Sequence, residues 1–478
     1  METSNYKQST TVTLLLAGTF IAILNQTLMI TAIPPVMEEM NITANSAQWL
    51  TTVFMLVNGI MIPVSAFLLE RFSTRQLFIS AMSIFAFGTL VAGVAPNFEI
   101  LLLGRMIQSS GAGVMLPLMQ TVFLMIFPVH KRGAAMGLIG LVISFAPAIG
   151  PALSGWITEH YSWRLLFFII LPIALVDILV AFIALKNVTD VTRPKVDILS
   201  IILSSFGFGG LLYGFTCAGN YGWLDSSTLL SLGVGVLTLI LFITRQLRLE
   251  HPMLEFRVFT YSIFPLAVLI GMIVFMGLIG AETLIPLFMQ NMREFTAFEA
   301  GLAILPGALI TGFMSPITGR IFDKIGARWL VIIGLTIITA SSFAFTNLGP
   351  STSFTFITIM YGVRMLGLSM VMMPVSTAAL NQLPKRLIPH GAAMDNTMKM
   401  IAASVGTAIL VTVMTTTAET AKQHPEIPYP DMYGVNIAFI VITLLSLVGL
   451  VISFSIKNNK LPEKELEEQW ADVSVNKQ

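Results

Sequence analysis

Fourteen predominantly apolar stretches, most of them about twenty residues long, follow one another along the chain. They lie near 11–33, 47–69, 76–95, 99–126, 134–157, 163–185, 198–218, 227–244, 262–289, 297–319, 328–346, 353–377, 392–415 and 435–456. Hydrocarbon offers no water to a backbone amide, so each stretch must pair its own N–H and C=O groups and form a helix. The expected fold class is an all-α polytopic membrane protein. With 55% hydrophobic and 11% charged residues, the composition excludes an ordinary soluble domain. A net charge of +1 without a basic stripe gives no footing for nucleic acid. The first stretch is too long for a cleaved leader, and no small-residue cleavage site follows it. Cys217 is the only cysteine, and the histidines (His130, His160, His251, His390, His424) scatter through expected loops without ligand spacing. Neither a disulfide framework nor a metal centre is expected.

Orientation follows from the basic residues. With the N-terminus inside, twenty of the 26 Lys and Arg fall on the cytoplasmic side, and only Arg164, Arg293 and Lys422 lie outside. Both termini are therefore expected in the cytoplasm. The sequence also repeats itself. VMLPLMQ…HKRGAAMG (114–137) resembles VMMPVST…IPHGAAMD (371–395), and NQTLM (25–29) echoes AETLI (281–285), at offsets of 256 to 258 residues. Matches in order at a nearly constant offset imply two homologous halves. The expected organisation is a six-helix bundle over 1–190, two additional helices over 191–250, a second six-helix bundle over 251–456 and a cytoplasmic tail over 457–478. A substrate site is expected between the bundles, near the midplane.

Two loops share a charge pattern of acid, base, and a second base four residues on. AFLLERFSTRQ (66–76) carries Glu70, Arg71 and Arg75; GRIFDKIGARW (319–329) carries Asp323, Lys324 and Arg328. An acid at a helix end can pair across to a neighbouring span and hold a cytoplasmic gate shut; a solvated turn is the plainer alternative. On these residues the chain resembles the major facilitator superfamily, whose signature after span two is G-x-x-x-D-[RK]-x-G-x-[RK]. The second copy matches at Gly319, Asp323, Lys324, Gly326 and Arg328, while Ala66, Glu70 and Ser73 depart from the first. RMIQSSGAG in span four is similar to the superfamily's R-x-x-Q-x-x-G at Arg105, Gln108 and Gly111. An arginine within a span costs about 2.5–3.5 kcal/mol on insertion scales, so it needs a reason. It either pairs with backbone carbonyls or tunes a nearby proton-binding acid.

SFAPAIGPALSG (144–155) places helix breakers inside span five. It resembles the exporters' G-x8-G-x3-G-P-x2-G-G, met at Gly137, Gly150, Pro151 and Gly155, with Ala146 and Ser154 replacing two glycines. Small residues let neighbouring backbones approach closely, and prolines bend a helix. A bent, tightly docked helix between the halves is expected. ILNQTLMITAIPP (23–35), YSWRLLFFIILPIAL (161–175), HPMLEFRVF (251–259) and LIPLFMQ (284–290) extend the likeness to the fourteen-span drug:proton antiporters, and within them to the lincomycin-resistance type of multidrug exporter.

The resemblance implies the superfamily fold of two six-helix bundles, here with two extra helices, in the bacterial cytoplasmic membrane. It implies an antiporter, not an enzyme, that expels small-molecule drugs by alternating access. A monomer is expected. No phosphate-binding loop G-x-x-x-x-G-K-[ST] occurs, so no cofactor is expected and the proton gradient supplies the energy. Relatives carry Asp in span one where this chain has Asn25, and an amide carries no proton. By the internal repeat, Glu282 lies at nearly the equivalent place in span nine, and it is the expected proton carrier; lining an outer vestibule is the alternative. Arg105 and Asp177 are the other coupling candidates, Asp177 otherwise being a buried acid with a helix partner. Asn25, Gln26, Gln108, Met115, Gln120 and Arg364 are the expected cavity residues, although the strict repeat offset from Arg105 lands on Gly362 and leaves the role of Arg364 open. Asp395 and Lys399, four apart, suit a local ion pair. A narrow exporter of a metabolite or peptide shares every motif; a proton symporter and a non-transporting receptor are further alternatives.

Overall fold

A computed structural model describes residues 2–189, 191–192 and 194–456. The expected tail, 457–478, and Arg193 lie outside the described residues. Among the described residues, fourteen helices are long and apolar enough to cross a membrane: α1 (Glu2–Met40), α2 (Ala44–Arg71), α3 (Thr74–Gly93), α4 (Phe98–Ile126), α5 (Arg132–His160), α6 (Leu165–Ala184), α7 (Ile198–Tyr221), α8 (Ser226–Arg248), α9 (Ile263–Leu287), α10 (Ala297–Ile325), α11 (Ala327–Ala344), α12 (Phe354–Leu380), α13 (Ile388–Lys422) and α14 (Pro430–Ser453). No strand occurs among the described residues.

Local chemistry sets the helix ends. The first amides of a helix lack intrahelical partners, and capping side chains satisfy them. Ser73 with Gln76 forms a capping box on α3, and Thr296 with Glu299 forms another on α10. Prolines fall inside α1, α2, α4, α5, α6, α9, α10 and α12 without ending them. Neighbouring helices tolerate the freed carbonyls where water would have frayed the turn.

Helices α1–α6 pack mainly among themselves, as do α9–α14. Two pairs related by the internal repeat join these groups: α5 with α10, and α2 with α13. Helix α7 lies beside α2 and α13 together, and α8 rests on α7. Trp223, in the α7–α8 turn, donates to Thr412 of α13 at 2.9 Å. The extra pair thus flanks one seam between the groups. The ends of the bundle differ in charge. One end, here the basic face, carries Arg71, Arg75, Lys131, Arg132, Lys324, Arg328, Lys385 and Arg386.

Candidate transport site and gate

The basic face is tied shut across the two groups. Asp323, at the C-terminal end of α10, accepts from the backbone N–H of Gly133 (2.7 Å) and Ala134 (2.9 Å) in the first turn of α5. A helix N-terminus suits an anion because its orphan amides point at it. The repeat-related acid, Glu70 at the end of α2, reaches the first turn of α13, where His390 Nε2 lies 2.9 Å from its carboxylate. Arg132 donates across the same seam to Asn381 (3.0 Å). The Glu-for-Asp departure in the first loop copy thus has a geometric counterpart: the longer acid meets a side chain, where the shorter one meets backbone. The basic residues of the first loop reach the end of α6 and the connection to α7, not the second half. Arg71 donates to the Pro194 carbonyl (2.7 Å), and Arg75 to that of Phe182. Lys324 is exposed and Arg328 half-buried.

Helix α5 runs unbroken through Pro147 and Pro151. A Cβ built on Gly133 would collide with the Gly319 carbonyl, and one on Gly137 would lie 2.5 Å from that of Ser315. These contacts dock the N-terminal half of α5 on α10, as far as the edge-to-face pair of Phe145 with Phe313 at 5.1 Å. Beyond Ala146 the partner changes. Gly150 abuts Thr27, and Ser154 donates to the Leu28 carbonyl at 2.6 Å, both on α1. The Pro147–Pro151 segment thus marks where α5 passes from α10 to α1. Gly155 departs from the close docking expected of it: nothing lies within 4 Å of a Cβ placed there.

Among the described residues, each half holds one arginine buried within the middle of a span. Arg105 of α4 is fully buried and donates to Asn25 of α1 (2.7 Å) and Gln108 (2.7 Å), with the Leu50 carbonyl 3.3 Å from Nε and the Phe54 ring 4.2 Å below. Gln108 passes the network to Thr89 of α3 at 2.8 Å. Arg364 of α12 donates to the Gly277 carbonyl of α9 (2.6 Å) and to Ser342 of α11 (3.0 Å). The two arginines therefore join repeat-related helices, α4–α1–α3 and α12–α9–α11. The strict offset missed this relation because the counterpart is displaced by two residues.

Glu282 of α9 has an exposed face, where the sequence reading sheltered it; the buried Arg364 acts on it electrostatically, and its own charge acts on the buried Tyr361. It makes no hydrogen bond or ion pair among the described residues. Asp177 of α6 is buried; its Oδ2 lacks a hydrogen-bond partner and points at Gly18 of α1, beside Met115 and Phe78. The remaining expected cavity residues are closed off. Asn25 and Gln108 are spent on Arg105, Met115 is fully buried, and Gln120 accepts from Asn396 of α13 at 2.6 Å, which is a bond between the halves. Only Gln26 stays half-exposed. In this conformation Asn25, Gln108, Met115 and Gln120 are therefore buried packing groups and not an open cavity wall, their hydrogen bonds running to Arg105, Thr89 and Asn396.

Asp395 and Lys399 form a buried ion pair at 2.7 Å, with Ser376 of α12 bonded to both (2.8 and 2.5 Å). Sequence reading missed His390, which it put in a loop. It also missed the Asn396–Gln120 tie, for which no spacing rule exists.

The sequence model of the Major Facilitator Superfamily matches residues 15–407. The chain belongs to that superfamily, and it is a multi-pass membrane transporter. It is 55% identical to the MFS-type transporter YcnB of Bacillus subtilis (strain 168), over 98% of this chain and 99% of that one. It is 43% identical to the lincomycin resistance protein LmrB of the same organism, over 94% and 96%. It is 31% identical to the multidrug export protein EmrB of Haemophilus influenzae, over 82% and 78%. Among solved structures, the human organic anion transporter MFSD10 superposes with a TM-score of 0.68 over 93% of this chain and 99% of its own, at 13% identity, a likeness of fold.

Proposed function

We propose that the protein is a proton-coupled exporter of hydrophobic or cationic drugs, lincosamides among them, in the bacterial cytoplasmic membrane. The bias of Lys and Arg supports placing the basic face, and with it both termini, in the cytoplasm. The closed gate of Asp323 and Glu70 then belongs to the outward-facing half of an alternating-access cycle. The names of LmrB and EmrB support drugs as cargo.

The observation that carries the reading is Glu282. It is a carboxyl with an accessible face and no hydrogen-bonded partner among the described residues, and the buried guanidinium of Arg364 acts on it electrostatically. A proton arriving from outside neutralises it, weakens a bound cation and resets the carrier. One charge moved across 100 mV is worth about 2.3 kcal/mol, which suffices for uphill export without a bound cofactor. The transporter acts as a monomer in the bilayer. Purified protein, with and without Glu282→Gln, decides the matter through drug-induced proton release and through drug uptake into inside-out proteoliposomes. Full proton-driven uptake by the variant removes Glu282 from the mechanism.

A further inference from the structure

Between α8 and α9 runs a strap, residues 249–262, with Met253, Leu254 and Val258 buried. Two consecutive amides of this strap are committed. The Leu254 N–H donates to Gln246 of α8 (3.3 Å), and Gln246, itself buried, donates to Ser200 of α7 (2.6 Å). The next amide, Glu255 N–H, donates to His390 Nδ1 (3.2 Å). An imidazole nitrogen that accepts carries no proton. The neutral ring then holds its proton on Nε2, the atom 2.9 Å from the Glu70 carboxylate. Arg257 of the strap also donates to the Leu247 carbonyl of α8 (3.2 Å), and α8 is tied to α7 by Arg245, which pairs twice with Asp197 at the α7 N-cap (2.9 and 3.1 Å). Around the imidazole stand Glu70 on α2 and Glu255 with Arg257 on the strap, while His251 and Arg386 act on Glu70 electrostatically.

We propose that the two additional helices, through this strap, are a positioning element for the gate: the Glu255 amide selects the His390 tautomer that donates to Glu70 across the halves. A twelve-helix bundle lacks the α7–α8 pair that anchors the strap, so this gives the insertion a mechanical role. Without the amide the imidazole is free to turn, or to place its proton on Nδ1, and the Glu70 contact loses its donor. The inference rests on the reading of the basic face as a gate, but not on Glu282 or on proton coupling.

The test uses the full chain in liposomes in a Cys217→Ser background, with spin labels at Lys131 and Trp329, exposed positions of opposite halves on the basic face. Glu255→Ala keeps the amide and loses the side chain; Glu255→Pro loses both, at a backbone φ of −85° that proline approaches. Distances are read without drug or pH gradient. The expectation is a wild-type distribution for Glu255→Ala and about three- to tenfold more of the long-distance population for Glu255→Pro, the effect of one buried hydrogen bond. His390→Gln, which keeps a donor and an acceptor, retains the short distance; His390→Leu does not. Nitrogen-15 spectra of labelled wild-type protein, which need no variant to fold, show His390 protonated at Nε2. Equal distributions for the alanine and proline variants, or a wild-type proton on Nδ1, overturn the proposal. Either result leaves the proton-coupling reading untouched, just as a fully active Glu282→Gln leaves this one untouched.

Discussion

Asn25 Oδ1 accepts from Arg105 Nη1 at 2.7 Å, so the buried guanidinium of the first half is held by a neutral amide. A buried charge needs its hydrogen bonds more than a neutral group does, and a bond to an ion contributes about 1.5–3 kcal/mol. Asn25→Leu is therefore expected to lower stability by that amount, read as an earlier thermal midpoint of the protein in detergent. Asn25→Asp restores a carboxylate where the antiporter pattern has one. It keeps the midpoint at or above wild type and adds a titrating group, seen as an extra drug-released proton. An unchanged midpoint for Asn25→Leu contradicts the role assigned to the amide.

The close approach of α5 and α10 yields a contrast between two glycines. A Cβ on Gly319 would run into the Gly133 carbonyl, backbone against backbone, so no flexible side chain can give way. Gly319→Val is expected to hold the basic face open, to lengthen the distance between Lys131 and Trp329 labels, and to abolish transport. Gly155→Ala, with nothing within 4 Å, is expected to stay within about 0.5 kcal/mol of wild type and to transport normally. Loss of transport in Gly155→Ala shows that the position matters in a conformation other than this one.

How much was legible beforehand follows from how local each signal is. The fourteen spans were readable because burial in lipid imposes a minimum length and an apolar composition on every helix, so no tertiary context was required. Glu70 and Asp323 were readable because the same charge spacing occurs twice. Their partners were not: whether an acid meets a backbone amide or an imidazole depends on how far α2 and α10 reach across the seam. Arg364 escaped because displacement by two residues still lets a long side chain reach Gly277 and Ser342, so repeat geometry survives where repeat register does not. Gln108 and Met115 read as cavity residues because a polar or polarisable side chain in a span looks alike whether it faces cargo or another helix.

The Asp395–Lys399 pair predicts strong non-additivity. Both residues are buried, and removing one partner of such a pair leaves an uncompensated charge costing about 3–5 kcal/mol. Asp395→Asn and Lys399→Met are each expected to be expressed poorly and to melt early. The double variant recovers most of the loss, because no lone charge remains. Thermal midpoints of the three proteins form a double-mutant cycle, and additive losses rule out the coupling.

Asp197, just ahead of α7 and outside the spanning segment, gives the pH dependence. Burial pushes its carboxyl up; hydrogen bonds from Arg245 and Ser200, together with the charge of Arg245, outweigh burial and hold it below the ordinary range. A carboxyl depressed in the folded state contributes its stability above the unfolded value, about 3.9, and loses it as pH falls through the depressed value. Asp197→Asn is expected to melt earlier than wild type from pH 7 down to about pH 4, with the gap closing below. Because Asp197 also anchors the α7–α8 pair that carries the strap, the variant should lengthen the Lys131–Trp329 distance at pH 7 as well. A gap that persists undiminished at pH 3 means that packing of α7, and not the Arg245 ion pair, sets the difference.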